Sequence, residues 1–186
     1  MNNREEETRE FCEHWLVKAE NYDPSQLQDA FDKFFTLFVA LNRLYIYTAI
    51  IAKQPKAREW RKVQRIFPEI IGHETLWRAL TSPPNDDLAL LRNLIGPNGY
   101  FFLISGADAD TPNQEANNDL HRRLGNQSAC VAVEALLEYL YKVRCNMFHG
   151  TKGYHIEQLR LLDPCNRCLA RIISTALHSL EDAPHL

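Results

Sequence analysis

The segment from Ser25 to about Lys53 constrains the fold most strongly. Its apolar side chains recur with the i, i+3, i+4, i+7 spacing of one face of an α-helix, at Phe31, Phe34, Phe35, Phe38, Leu41, Tyr45 and Thr48. At 1.5 Å per residue such a helix would be about 43 Å long, enough to be the spine of a helical bundle. Asn42 and Arg43 interrupt its apolar run, so we expect a core helix rather than a membrane span.

Three further segments carry strong helical patterns. They are an acidic helix over 5–22, a helix from about Asn126 to Phe148, and a helix from about Ile156 to Leu180. Pro164 lies inside the last segment and predicts a kink or break near Asp163. We therefore predict one all-α domain over 1–186, a bundle of long antiparallel helices.

Between the second and third long helices lies an insertion, residues 55–125, in which prolines recur. We expect it to be irregular, with short helices at Ala57–Ile66, Glu74–Leu80 and Asp86–Asn93, and an exposed loop at Gly106–Asn117.

Composition narrows the function classes. The 186 residues include only 7 Gly, and the net charge is -3, which excludes a uniformly basic protein that coats nucleic acid. The N-terminus has no apolar stretch typical of a signal peptide, and there are five Cys. We expect reduced thiols, a cytoplasmic location and no membrane.

The sequence Tyr141–Gly150, YKVRCNMFHG, contains the residues best suited to chemistry. Arg144 falls on or beside the apolar face of the third long helix, and His149 lies where Gly150 is expected to end that helix. An imidazole transfers protons near neutral pH, and a guanidinium binds phosphate as charge develops on it. Alternatively, Arg144 pairs structurally with an acidic residue and His149 caps the helix.

This stretch, preceded by a long amphipathic helix and followed by another helix, resembles the HEPN family, whose motif is R-x4–6-H. The resemblance spans roughly 27–53 and 126–180. It implies a HEPN-like helical bundle that forms a homodimer and brings two Arg/His pairs into one cleft. It also implies a metal-independent endoribonuclease of a bacterial toxin–antitoxin or phage-defence system, with Arg144 and His149 catalytic and a protein partner that neutralises or activates it. Other members only bind nucleotides or proteins, which is the alternative function. A purely structural helical adaptor is a third alternative.

Two asparagines are supporting candidates. In the family a polar residue often follows the Arg directly; here Cys145 stands at that position and Asn146 comes next. Asn42 falls on the apolar stripe of the second helix, where it either orients Arg144 or His149 or sets the register of the core.

Basic residues cluster in two windows that could contact RNA. The run from Lys53 to Arg65 contains six Lys or Arg and one Glu. Phosphate contacts and base stacking there are predicted for Lys53, Lys56, Arg58, Trp60, Arg61, Lys62 and Arg65. Lys142 and Lys152 flank the Arg/His motif. The alternative for such a charge run is a solvated face.

Cys165 and Cys168 form a C-x-x-C pair on the predicted last helix. A structural zinc site needs further ligands at a similar spacing, and the sequence pattern offers none. We therefore predict buried thiols, no metal and no cofactor.

Overall fold

The computed structural model describes residues 3–96, 99, 113–148 and 155–181. The described residues form α-helices, one π turn and one 3-10 turn, with no strand among them, which confirms the all-α prediction. The α-helices are α1 (Asn3–Glu20), α2 (Leu27–Ile51), α3 (Glu59–Arg61), α4 (Phe67–Ile71), α5 (His73–Thr81), α6 (Asp87–Ile95), α7 (Gln114–Leu124), α8 (Ala129–Phe148) and α9 (Leu159–Glu181).

Helices α1 and α2 form an antiparallel hairpin. Tyr22 is hydrogen-bonded to Thr36, the Cys12 thiol donates to the Ala40 carbonyl, and the Arg43 guanidinium donates to Thr8. Partners on α1 thus come earlier in the chain as those on α2 come later, which is the signature of antiparallel packing. The antiparallel prediction holds for this pair.

Helix α9 runs in the same direction as α2, which agrees with long helices that alternate in direction along the chain, because α8 comes between them and runs antiparallel to α2. The Asn166 amide donates to the Ala30 carbonyl, 3.0 Å away, near the start of α2. At the other end of α9, Glu181 accepts a hydrogen bond from Arg9, which lies beside the later part of α2. The physical reason is the long intervening segment, which returns the chain to the start of α2 before α9 begins.

The core is built around α2, which packs against both α1 and α9. Phe34, Leu37, Leu41 and Leu44 are completely buried. Of the described helices, α2 alone is long and apolar enough to span a membrane, yet 61% of its most apolar window is buried inside the protein. That burial matches the predicted core helix.

The first part of the insertion is one continuous helical segment of residues 59–71, longer than predicted. A π turn, Lys62–Ile66, separates α3 from α4. Pro68 lacks the N–H that an α-helix would direct to the carbonyl of Gln64, and the wider turn lies immediately before it.

The rest of the insertion is more regular than the sequence predicted. Asp87, only 2% exposed, fixes α6 to α9 through ion pairs with Arg167 and Arg171. The predicted exposed loop at Gly106–Asn117 is wrong at its end. Residues Gln114–Asn117 belong to α7, and Asn117 is completely buried. The Asn113 side chain accepts a hydrogen bond from the Ala116 amide and so starts this helix. The earlier part of that predicted loop lies outside the described residues.

Helix α9 is continuous through Pro164, so of the predicted kink or break the break is wrong, and the kink stays a prediction. Pro164 is the sixth residue of the helix, so it lacks the N–H that would bond to the Arg160 carbonyl, and the helix continues with that one hydrogen bond missing. Cys165 and Cys168 are buried free thiols, as predicted.

Candidate active site

Arg144 lies in the last turns of α8, and its side chain is 27% exposed. The residues before it on this helix, Leu140 and Val143, are buried in the core. Its guanidinium carbon is 5.8 Å from the centre of the Phe38 ring on α2. An arginine at the rim of a core keeps its charge and needs an anionic or aromatic partner.

Glu59 supplies an anionic partner. Its Oε1 is 4.0 Å from Nη2 of Arg144. The same oxygen accepts a 2.7 Å hydrogen bond from the Tyr45 hydroxyl, and Oε2 accepts one of 3.2 Å from Tyr141. The carboxylate is therefore held by phenols from two helices, α2 and α8, beside the guanidinium.

Both tyrosines stay protonated in this arrangement. Burial raises the pKa of Tyr45 well above its ordinary value, and the hydrogen bond to Glu59 adds to the effect. Burial and the nearby Glu59 charge raise the pKa of Tyr141 to about 12. At neutral pH these groups are hydrogen-bond donors and not bases.

Glu59 is the functional candidate that the sequence pattern did not single out. It is the one acidic residue in the basic run of 53–65. In the sequence it therefore indicated only a lower net positive charge for that run. No spacing rule joins it to Arg144, because they lie on different helices that only the tertiary fold brings together. The pairing matches the alternative in which Arg144 has a structural acidic partner.

Asn42 is half-buried on α2, one helical turn from Phe38 and from Tyr45. Those two side chains reach Arg144 and Glu59, so Asn42 shares the face of α2 that borders the site. Among the described residues no hydrogen bond joins Asn42 to Arg144. Its orienting role and its register role both stay predictions.

Five of the predicted RNA contacts line one open depression of about 740 Å³. These are Lys53, Lys56, Arg58, Trp60 and Arg61. Trp60 is 44% exposed, so a face of its ring is accessible for stacking. Glu59 belongs to the same short helix as Trp60 and Arg61, which places the depression next to the Arg144 neighbourhood.

The other predicted site residues do not line this depression or lie outside the described residues. Arg65 is paired with Glu134 on the first turns of α8 and does not line the depression. Lys62 is half-buried in the π turn, and Lys142 is half-buried on α8. Asn146 is half-buried two residues beyond Arg144. His149 and Lys152 lie outside the described residues.

The described part of the site thus consists of a half-buried guanidinium, a carboxylate, two protonated phenols and an adjoining cationic depression. These groups are able to bind an anion and orient it. The HEPN resemblance remains a prediction that rests on Arg144, His149 and the helices around them. Comparison with family models, curated proteins and solved structures finds no match to this chain.

Proposed function

We propose that this chain is a metal-independent endoribonuclease of the HEPN type that acts in bacterial toxin or phage-defence biology. The observation that carries the proposal is the half-buried Arg144 beside a cationic depression that exposes Trp60. Binding and cleavage of a single-stranded RNA need both features. The phosphate to be cleaved requires a fixed cation, and the neighbouring nucleotides require aromatic stacking and positive charge.

The proposed reaction is an internal transfer at phosphorus. The ribose 2′-oxygen forms a bond to the adjacent phosphorus as the bond to the 5′-oxygen breaks, giving a 2′,3′-cyclic phosphate. His149 takes the 2′-hydroxyl proton or protonates the leaving oxygen, and the proposed homodimer supplies one imidazole for each task. Arg144 stabilises the negative charge that develops on the phosphorane oxygens.

Glu59 affects how strongly a substrate phosphate binds Arg144. Its carboxylate is close to the guanidinium and is held there by Tyr45 and Tyr141. A phosphate that binds Arg144 competes with this negative charge. The same contact favours the second candidate function, a non-catalytic HEPN-like module that binds a nucleotide or a protein, because a guanidinium with a local counter-ion is a modest phosphate receptor.

The test compares RNA cleavage by the wild type with two variants, Arg144→Lys and His149→Ala. Arg144→Lys keeps the charge but loses the planar fork, and His149→Ala removes the proton-transfer group. We expect both to lower the rate by at least about 100-fold. The matched controls are Arg78→Lys and His14→Ala, both at exposed helical positions, which should cleave like the wild type.

Product analysis completes the test. The wild type should leave 2′,3′-cyclic phosphate ends, should continue in EDTA and should not cut DNA, which lacks the 2′-hydroxyl. Cleavage that His149→Ala leaves unchanged, or that stops in EDTA and returns with Mg²⁺, contradicts the mechanism. A folded wild type that binds RNA without cutting it supports the binding module.

A further inference from the structure

A second group of reactive side chains lies on the opposite half of α8 from Arg144. His73 Nε2 or Nδ1, the Cys130 thiol and a Glu134 oxygen all lie within 4.8 Å of one another. Cys130 and Glu134 are one turn apart on the first turns of α8 and so share a face. His73 is the first residue of α5, which packs on α8.

The backbone before His73 is shaped to bring its ring to α8. Gly72 separates α4 from α5 and has φ of 100°, in a region that residues with a side chain rarely adopt. A β-carbon at this position would lie 3.2 Å from the Thr75 hydroxyl. The turn therefore depends on glycine and aims the start of α5 at the Cys130/Glu134 face.

An orphaned ring nitrogen points into the cluster. His73 Nε2 is buried and has no hydrogen-bond partner, although it lies 3.6 Å from Oε1 of Glu134. A buried polar nitrogen without a partner costs free energy, so its presence calls for an explanation. A bound cation placed between the nitrogen and the carboxylate oxygen would give the ring nitrogen a partner.

Arg65 completes the surroundings of Glu134. Its guanidinium is paired with Oε2, which leaves Oε1 directed towards His73. Metal-binding carboxylates are commonly fixed by such an outer hydrogen bond, which sets the oxygen that faces the ion.

We propose that His73, Cys130 and Glu134 form a Zn²⁺ site, with water as the fourth ligand. Thiolate, imidazole and carboxylate together suit Zn²⁺, and two anionic ligands balance its charge. Tetrahedral ligands at zinc are about 3.3–3.8 Å apart, a range that contains the observed 3.6 Å between His73 and Glu134. Cys130 is exposed at the start of α8, so its side chain can rotate inward and solvent can reach the fourth position.

The site would clamp α5 to α8 independently of the proposed nuclease chemistry. Glu134 and Arg144 are ten residues apart on one helix, which separates them by about 15 Å along its axis. Zinc there would stabilise the helix that carries Arg144 without contacting substrate. Zn²⁺ binding can be measured in the absence of RNA, so it tests this proposal separately from the proposed nuclease activity.

The experiment is a Zn²⁺ titration of untagged, reduced, full-length protein from which metal has been stripped. We expect one equivalent to bind and the melting temperature to rise with Zn²⁺ concentration. Co²⁺ should give the absorption of a thiolate-bound tetrahedral ion. Cys130→Ser and His73→Gln should each weaken binding by at least about tenfold.

Two matched variants separate this site from general thiol or imidazole binding. Cys145→Ser changes another thiol on the same helix, and His14→Gln changes an exposed histidine on α1; both should bind Zn²⁺ like the wild type. Circular dichroism checks that each variant folds, and Cys130→Ser is expected to do so because Cys130 is exposed. A wild type that binds no Zn²⁺, or binding that Cys130→Ser and His73→Gln leave intact, overturns the proposal.

Discussion

Glu59 illustrates at the residue scale how one carboxylate can serve two purposes. Its two oxygens accept hydrogen bonds from Tyr45 and Tyr141, so it joins α2 and α8. Its negative charge also lies near Arg144, where a phosphate is proposed to bind. An uncharged polar group can still hydrogen-bond to the phenols, whereas the competition with phosphate needs the charge.

Glu59→Gln should separate these purposes. The amide oxygen still accepts a hydrogen bond from one phenol, and the amide nitrogen can donate to the oxygen of the other, but the competing charge is gone, so RNA should bind more tightly. Because the Arg144–Glu59 contact is partly exposed, we expect a gain below about fivefold, equivalent to less than about 1 kcal/mol. Fluorescence anisotropy with a labelled RNA measures this, with Glu74→Gln at an exposed position of α5 as the control. Weaker binding by Glu59→Gln would show that Glu59 does not compete with RNA.

Cys12 makes a second prediction at this scale. It is completely buried, and burial raises its pKa from 9.0 to about 12. The folded state therefore holds the thiol proton more tightly than the unfolded chain does. The Cys12 contribution to the free energy of unfolding is fully present below about pH 9 and is lost as pH rises to about 12.

Denaturant unfolding of the wild type and Cys12→Ala across this pH range checks the effect. Cys12→Ala should be less stable at neutral pH, since it leaves a cavity, but its stability should fall less steeply with rising pH. Parallel curves for the two proteins would mean that the Cys12 thiol does not titrate differently in the folded state.

At the element scale, one residue at the end of α2 both terminates the helix and lines the cationic depression. Lys53 has φ of 57°, the left-handed conformation that usually belongs to glycine after a helix. Its amide donates to the Ile50 carbonyl, and the next amide, of Gln54, donates to Ala49. This is the hydrogen-bond pattern of a Schellman motif with lysine at the strained position. Lys53 also lines the depression, so strain and candidate function coincide.

Lys53→Gly should relieve this strain and remove a charge. We expect the free energy of unfolding to rise by about 1 kcal/mol, while RNA binding weakens and becomes less dependent on salt. Lys56→Ala is the control, because it removes a charge from the same depression without changing a left-handed residue. Greater stability with unchanged RNA affinity would mean that Lys53 does not contact RNA.

At the scale of the whole molecule, the bundle presents Arg144 at its rim and not in its interior. One Arg/His motif offers few groups to hold and cut a phosphodiester, so the proposed function calls for two copies around one cleft. The site described in a single chain is then half of the active assembly.

The full-length protein should therefore be a homodimer in solution. Light scattering at micromolar concentration should give about twice the chain mass of 21.6 kDa. Adding an excess of inactive His149→Ala chains to the wild type should lower the cleavage per wild-type chain, because a mixed dimer holds only one of the two imidazoles that the proposed mechanism uses. A monomer that retains full activity would contradict the shared cleft.

The sequence by itself determined the helical class and the long helices. The spacing of Phe34, Phe38, Leu41 and Tyr45 places them on one face of a helix, and these residues are buried. The predicted ends of α2 and α8 lie within a few residues of those observed, because periodicity and the turn residues near the ends are local signals. Arg144 was predicted at the edge of an apolar face for the same reason.

Tertiary structure decided the contacts between segments far apart in the chain. Nothing local relates Glu59 to Arg144, or His73 to Cys130, because their distances depend on how α3 and α5 pack on α8. The direction of α9 was likewise undetermined, since a helical face is equally apolar whichever way the helix runs. Helix α7 was missed because it is mostly polar, with apolar side chains only at Ala116, Leu120 and Leu124, while the burial of Asn117 and Leu120 comes only from the elements packed on them. Local sequence fixes which residues share a face, and the fold decides which faces meet.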